Sequence, residues 1–267
     1  MEQPTATARE KFSLVDQHRR MLANMNFYLD RKSSKILDFG CGDGRQVYEY
    51  RDRGFEAYGF DIRPAPLLRH HEDEEYFRFA LTGKPSDVPE FQVNASFYKI
   101  PFEDGAFDFI FSTSTLEHVQ DHDLAFAETA RVLKPGGVAI HTFPGRYCLV
   151  EPHMYVPLGG AIQNYPWFFL WALLGIRNEF QDNMAPAERA KRNLHYSKNG
   201  LKYPKLGDIQ HWARGHYRRV ELIPRLWESG CEGSITLKGA LLYIPIVQKL
   251  YRRMYGRIDT VVLFLQK

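Results

Sequence analysis

Between the apolar run Ile36-Leu37-Asp38-Phe39 and the helically spaced Gln46, Val47 and Tyr50, the chain places three glycines in five residues, "GCGDG" at 40 to 44. The run before them ends a buried strand and the spacing after them begins a helix, so the glycines form the connecting turn. A turn this rich in glycine lets either a ligand or a neighbouring segment approach the backbone closely.

The rest of the chain tells what kind of sheet that turn belongs to. Leu14, Met21, Leu22, Met25 and Leu29 predict a helix over 13 to 30, packed on the sheet before the first strand. After a helix ending near Gly54, "FEAYGFD" reads as a second strand with Asp61 at its end. "RHHEDEEYFRF" reads as a solvated helix, "TGKPSDVPE" as a loop and "FQVNASF" as a third strand. "FDFIFSTS" is a fourth strand, "HDLAFAETARVL" an amphipathic helix stopped by "KPGG", and "VAIHTF" a fifth strand. Strands alternating with helices at this spacing imply a parallel, doubly wound α/β sheet, because parallel neighbours need helical crossovers.

The alternation breaks after Pro144. Residues 144–215 are rich in proline, aromatics and basic side chains and show no clear strand, which reads as a helical or irregular cap inserted after the fifth strand. "YRRVELIPRLWESG" then reads as helical but for Pro224, "SITLKG" as a strand, "IPIVQKLYRRMYG" as a helical insert near 239–257, and "DTVVLFLQ" as the last strand. The expected organisation is an N-terminal helical segment over 1–34, a binding core over 35–143, the cap, and a return to the core over 216–267.

In open α/β sheets ligands sit at the carboxyl ends of the strands, and a carboxylate at the tip of the second strand can accept both hydroxyls of a ribose. Asp61 stands there. A dinucleotide turn wants G-x-G-x-x-G, whereas Gly40, Gly42 and Gly44 give G-x-G-x-G, with Asp38 and Asp43 beside them. Carboxylates suit an ammonium group and repel a pyrophosphate, so the expected ligand carries a ribose and a positive charge.

"ILDFGCGDGR", "YGFDIRP", "IPFEDGAFDFIFSTSTLEHV" and "ARVLKPGGVAIHTF" resemble, in order and spacing over residues 35 to 143, the successive motifs of the class I S-adenosylmethionine-dependent methyltransferases, in particular the small-molecule subgroup. The resemblance implies a Rossmann-like sheet of seven strands, six parallel and one antiparallel, and S-adenosyl-L-methionine as cofactor. It implies that Asp38 and the turn with Gly40, Cys41 and Gly42 hold the methionine portion, that Asp61 binds the ribose and that Ile62 flanks the adenine. Ser112 and Thr113 match positions lining the methionine carboxylate and the sulfonium. Where the family often has an aspartate facing the adenine amino group, this chain has Ser96 followed by Phe97, whose backbone amide can still contact the ring.

Methyl transfer from a sulfonium needs close approach of acceptor and methyl, and a histidine can take the proton of a hydroxyl acceptor. His118 in "TLEHV" falls just after the fourth strand, where the family often has a histidine. His153, beside Glu151 in "EPHMYVPLGG", opens the cap in a stretch that resembles methyltransferases encoded among bacterial polysaccharide enzymes. His141, within the fifth strand, reads as a core histidine. The [N/D]-P-P-[Y/F] segment of amino-methylating nucleic-acid enzymes is replaced by "STST", and no cysteine follows a proline as cytosine C5 chemistry requires. O-methylation of a small molecule is expected, a sugar or polysaccharide precursor ahead of a natural-product scaffold, with a non-catalytic binding protein or an RNA methyltransferase as rivals.

The cap concentrates Arg189, Lys191, Arg192, Lys198, Lys202 and Lys205 among tyrosines and Trp212, which suits an anionic or sugar-containing acceptor. A formal charge of +3 is too small to argue for DNA. Cys41, Cys148 and Cys231 lack metal-ligand or disulfide spacing, so no metal is expected and a reducing cytoplasm fits. The N-terminus has acidic residues and no apolar core, unlike a signal peptide. "YPWFFLWALLGI" at 165 to 176 falls well short of the ~20 residues that span a bilayer. It is expected to bury against the core or against a second copy in a homodimer, with contact at a membrane interface the less favoured alternative.

Overall fold

The computed structural model describes residues 13–62, 68–80, 99–223 and 260–267. Seven strands form one sheet in the order β3-β2-β1-β4-β5-β7-β6. They are β1 (Lys35–Phe39), β2 (Glu56–Asp61), β3 (Phe77–Phe79), β4 (Phe107–Thr113), β5 (Leu133–Pro144), β6 (Arg219–Ile223) and β7 (Thr260–Gln266). Adjacent strands from β3 through β5 pair in parallel, while β7 runs antiparallel to both β5 and β6. Six strands thus run in parallel with β7 against them, the arrangement that the resemblance implies.

Both faces of the sheet are covered, which is why its central strands read as nearly unbroken apolar runs. On one face Leu37, Ile110, Ala139 and Leu263 meet Phe126 and Ala130 of α3 (His122–Val132) and Ile209 and Ala213 of α6 (Leu206–His216). On the other, Ile36, Phe109, Phe111, Ile140 and Phe264 meet Val15, Met21 and Leu22 of α1 (Leu14–Asn24) and Val47 and Tyr50 of α2 (Arg45–Arg51). The alternation of partners along each strand follows from successive side chains pointing to opposite faces. Ser13 caps α1 by accepting from Asp16 N–H at 3.2 Å, and Asp121 caps α3 by accepting from Leu124 N–H at 3.0 Å.

Three local expectations change. The solvated helix expected over "RHHEDEEYFRF" is a 3-10 segment, His71–Tyr76, followed by β3, so Phe77–Phe79 occupies the sheet's edge beside β2. "RVELI" is the strand β6, not a helix, because Val220 and Leu222 pair with Leu265 and Leu263 of β7. The cap is also more regular than its composition suggests, with α4 (Tyr165–Leu173) and α5 (Pro186–Asn199). Phe168 of α4 turns into a core of the cap's own, with Met154, Val156, Ala190, Leu201 and Tyr203, and Ala172 is buried too, while Leu170, Leu173 and Leu174 stay exposed. No helix among the described residues is long and apolar enough to cross a membrane. The strands expected at "FQVNASF" and "SITLKG" and the helical insert near 239–257 lie outside the described residues.

Candidate active site

The glycine turn folds β1 back against the end of β2. Gly40 and Cys41 N–H both donate to the Phe60 carbonyl, at 2.7 and 3.1 Å, and Gly42 N–H donates to Asp61 Oδ2 at 2.8 Å. Asp61 Oδ1 accepts from Ile62 N–H at 2.6 Å, and Ile62 packs half-buried against the core. The backbone thus fixes the Asp61 carboxylate at the tip of β2.

Two of the glycines answer to different constraints. At Gly40, φ is +83° and a Cβ would stand 2.3 Å from Thr115 Cγ2, so packing against the segment after β4 excludes any side chain. At Gly42, φ is +49° but a Cβ would meet nothing within 4 Å. Gly40 serves the fold, and Gly42 leaves an open face on the turn. The small residue between them fits for a related reason: a Cβ on Gly59 of β2 would lie 2.7 Å from Cys41 Sγ. Burial, then the charges of Asp38 and Asp61, push the Cys41 thiol far up, so it packs as a neutral side chain.

Asp38, at 2% exposure, has its Oδ2 without a hydrogen-bond partner among the described residues. Burial first, then the neighbouring Asp61 and Asp43, raise its carboxyl well above the ordinary range. An orphaned buried oxygen among three carboxyl groups, beside the open face of Gly42, fits a cationic amino acid moiety attached to a ribose and disfavours a polyphosphate. Of the other residues expected here, Ser112 is buried with its hydroxyl 2.8 Å from His141 Nδ1, and Thr113 donates to Gln46 Oε1 at 3.3 Å. Ser96 and Phe97 lie outside the described residues.

Thr115, the residue packed on Gly40, leads directly into a 3-10 turn, Leu116–His118. The cap reaches back to this turn: Lys202 N–H donates to the Glu117 carbonyl at 2.6 Å, and His118 Nδ1 lies 2.7 Å from the Gly200 carbonyl. A carbonyl only accepts, so Nδ1 of His118 carries the proton, and in the neutral ring Nε2 keeps its lone pair. From the cap, His153 Nδ1 lies 2.6 Å from Glu151 Oε1. Glu151 is fully buried and also accepts from His153 N–H, Met154 N–H and the Tyr203 hydroxyl at 2.9, 2.7 and 2.6 Å.

The His118 and His153 rings meet edge to face with centroids 4.9 Å apart. Burial lowers His118 below the ordinary imidazole range against the pull of its Gly200 bond. Burial also opposes charge on His153, but the bond to Glu151 and that carboxylate's charge outweigh it and raise the imidazole. Beside them Glu117 is fully buried, neither carboxyl oxygen has a hydrogen-bond partner among the described residues, and burial pushes it up to about 7. A cavity of about 360 Å³ opens on the cap side of His153, lined by Tyr155, Asn178, Arg192 and Tyr196 among others.

The structure therefore brings together His118 and His153, which stand apart in the sequence, and leaves His141 in the core, at 0% exposure. Sequence reasoning passed over Glu117 and Thr115. Each is adjacent to, or a short step from, a residue it did single out, and nothing in their spacing distinguishes a buried orphan carboxyl from a solvated one.

Residues 37–141 match the family described as methyltransferase domain. An uncharacterized methyltransferase of Schizosaccharomyces pombe is 33% identical over 108 residues, 40% of this chain and 38% of that protein. The chloroplastic tocopherol O-methyltransferase of Arabidopsis thaliana is 32% identical over 109 residues, 40% of this chain and 29% of that one. The malonyl-[acyl-carrier protein] O-methyltransferase of Pseudescherichia vulneris is 27% identical over 124 residues, 46% of this chain and 44% of that one. The chain thus spans less than half the length of each of these relatives.

Proposed function

We propose that this chain, in which residues 37–141 are a class I S-adenosylmethionine-dependent methyltransferase domain, methylates a hydroxyl of a small, sugar-containing acceptor held between the glycine turn and the cap. The observation that carries this reading is the meeting of His118 from the core with His153 from the cap, one 3-10 turn away from the residue packed on Gly40. Bound S-adenosylmethionine supplies an electrophilic methyl group. Asp61 holds the ribose, Asp38 faces the amino acid end, and Gly42 leaves the turn open for it.

On the acceptor side, the uncommitted Nε2 atoms of His118 and His153 can hold or accept the proton that a hydroxyl must lose. Glu151 fixes the ring of His153 and, being anionic, supports positive charge on it. Arg192 and the aromatic rings of Tyr155 and Tyr196 line a cavity suited to a sugar that carries negative charge. The acceptors named for the relatives vary, a tocopherol and a malonyl-carrier protein among them, so the lining of this cavity carries the reading of the acceptor.

Two measurements test the reading. Asp61→Ala is expected to weaken S-adenosylmethionine binding by at least the ~1.5–3 kcal/mol of a charge-assisted hydrogen bond; an unchanged dissociation constant in calorimetry would remove the ribose from Asp61. His153→Ala is expected to lower kcat on a responsive acceptor by about 10²-fold or more while cofactor affinity holds. Equal loss in both would place His153 in binding rather than in turnover.

A further inference from the structure

Glu117 has no evident reason to be where it is. A fully buried carboxyl with neither oxygen hydrogen-bonded is costly unless something else satisfies it. What stands around it is informative: Glu117, His118 and His153 each present a metal-ligating atom, and these atoms all lie within 4.8 Å of one another. Around a tetrahedral ion with bonds of about 2.1 Å the ligand atoms are roughly 3.4 Å apart, so a modest side-chain adjustment closes the set.

The outer partners follow the pattern of a metal centre as well. A ligating histidine characteristically donates its other ring N–H to a carboxylate or a backbone carbonyl, which fixes the tautomer and points the remaining nitrogen at the ion. His153 has Glu151 in that role and His118 has the Gly200 carbonyl, at 2.6 and 2.7 Å. We propose that Glu117, His118 and His153 hold a divalent transition-metal ion that ties the cap to the core and keeps an open position for an oxygen of the acceptor.

Two imidazoles and one carboxylate select zinc, cobalt or iron(II) over magnesium or calcium, which prefer all-oxygen surroundings. Three protein ligands leave room for one more, as in catalytic rather than structural sites. For what fills that position the proposal rests on the methyltransferase reading above. With the ion in place the two Nε2 lone pairs become ligand pairs, and the ion acidifies the coordinated hydroxyl, whose proton leaves to solvent.

The test uses the full chain without an affinity tag. Co²⁺ is titrated in and followed by visible absorption and calorimetry, with Zn²⁺ as competitor and S-adenosylhomocysteine binding measured on the same samples. The expected result is one Co²⁺ per chain, displaced by Zn²⁺, with a melting temperature that rises on metal addition. Glu117→Gln and His153→Ala should each weaken Co²⁺ by at least about 10²-fold, while His211→Ala, on the exposed side of α6, leaves it unchanged. Glu117→Gln should keep the melting temperature of the metal-free protein, since neither carboxyl oxygen has a hydrogen-bond partner among the described residues and the amide keeps one of the two oxygens.

Absence of stoichiometric Co²⁺ or Zn²⁺ binding, or Co²⁺ binding that persists in both variants, overturns the metal site. Failure to bind S-adenosylhomocysteine overturns the methyltransferase reading alone, because the metal titration is scored independently of it.

Discussion

Acidification from pH 6 to pH 4 is expected to remove about 5 kcal/mol of stability through two histidines remote from the acceptor side. His18 on α1 and His141 on β5 are both fully buried, and burial lowers each imidazole from 6.5 to about 3. Their hydrogen-bond partners among the described residues, the Tyr50 hydroxyl at 2.7 Å and the Ser112 hydroxyl at 2.8 Å, are neutral. Below pH 6.5 the unfolded chain binds protons at these two positions and the folded chain does not, until about pH 3. Stability therefore rises with pH across that window and falls as pH is lowered through it, by about 1.4 kcal/mol per pH unit for each group.

Other groups titrate in the same range. Glu128, held down by Arg131, also loses stability on acidification, whereas the raised Asp38 and Glu117 act in the opposite sense. The two histidines are isolated by comparing wild type with a His18→Gln, His141→Gln double variant in urea unfolding at a series of pH values. The variant should have a slope shallower by about 2.7 kcal/mol per pH unit between pH 6 and pH 4. Parallel curves would mean that one or both rings are protonated in the folded state.

The second large effect concerns the turn. Gly40→Ala combines a left-handed backbone, worth about 1–2 kcal/mol against a Cβ, with a collision against Thr115, worth about 1–3 kcal/mol. A loss of about 2–5 kcal/mol is expected. The Thr115 side chain branches at Cβ and cannot swing clear, so Thr115→Gly in the same background should restore the steric part but not the conformational part, giving a coupling of about 1–3 kcal/mol in a double-mutant cycle. Gly42→Ala has no such neighbour and should cost only the backbone part, about 1–2 kcal/mol of stability, with its main effect on cofactor affinity. Equal stability losses for the two alanine variants, with no coupling to Thr115, would show that packing does not distinguish them.

Much of this protein is local and therefore legible. The apolar runs of β1, β2, β4, β5 and β7 and Asp61 at the tip of β2 are set by periodicity and by residue types within a few positions of each other. What misled were short elements whose identity lies in their partners. "FRF" after an acidic run has too little alternation to announce a strand, and "RVELI" becomes one only because β7 offers it a ladder.

The amino-acid sequence by itself determined the doubly wound core, the glycine turn and the two histidines worth watching. The tertiary structure alone decided that Gly40 answers to Thr115 while Gly42 faces open space, and that α4 buries Phe168 in the cap's own core. It alone decided, too, that His118 and His153 meet over a buried carboxyl with no partner. The physical reason is range. Strand and helix formation is governed by neighbours in sequence, whereas burial, orphaned polar atoms and ligand-like clusters arise only when segments far apart in the chain are packed against one another.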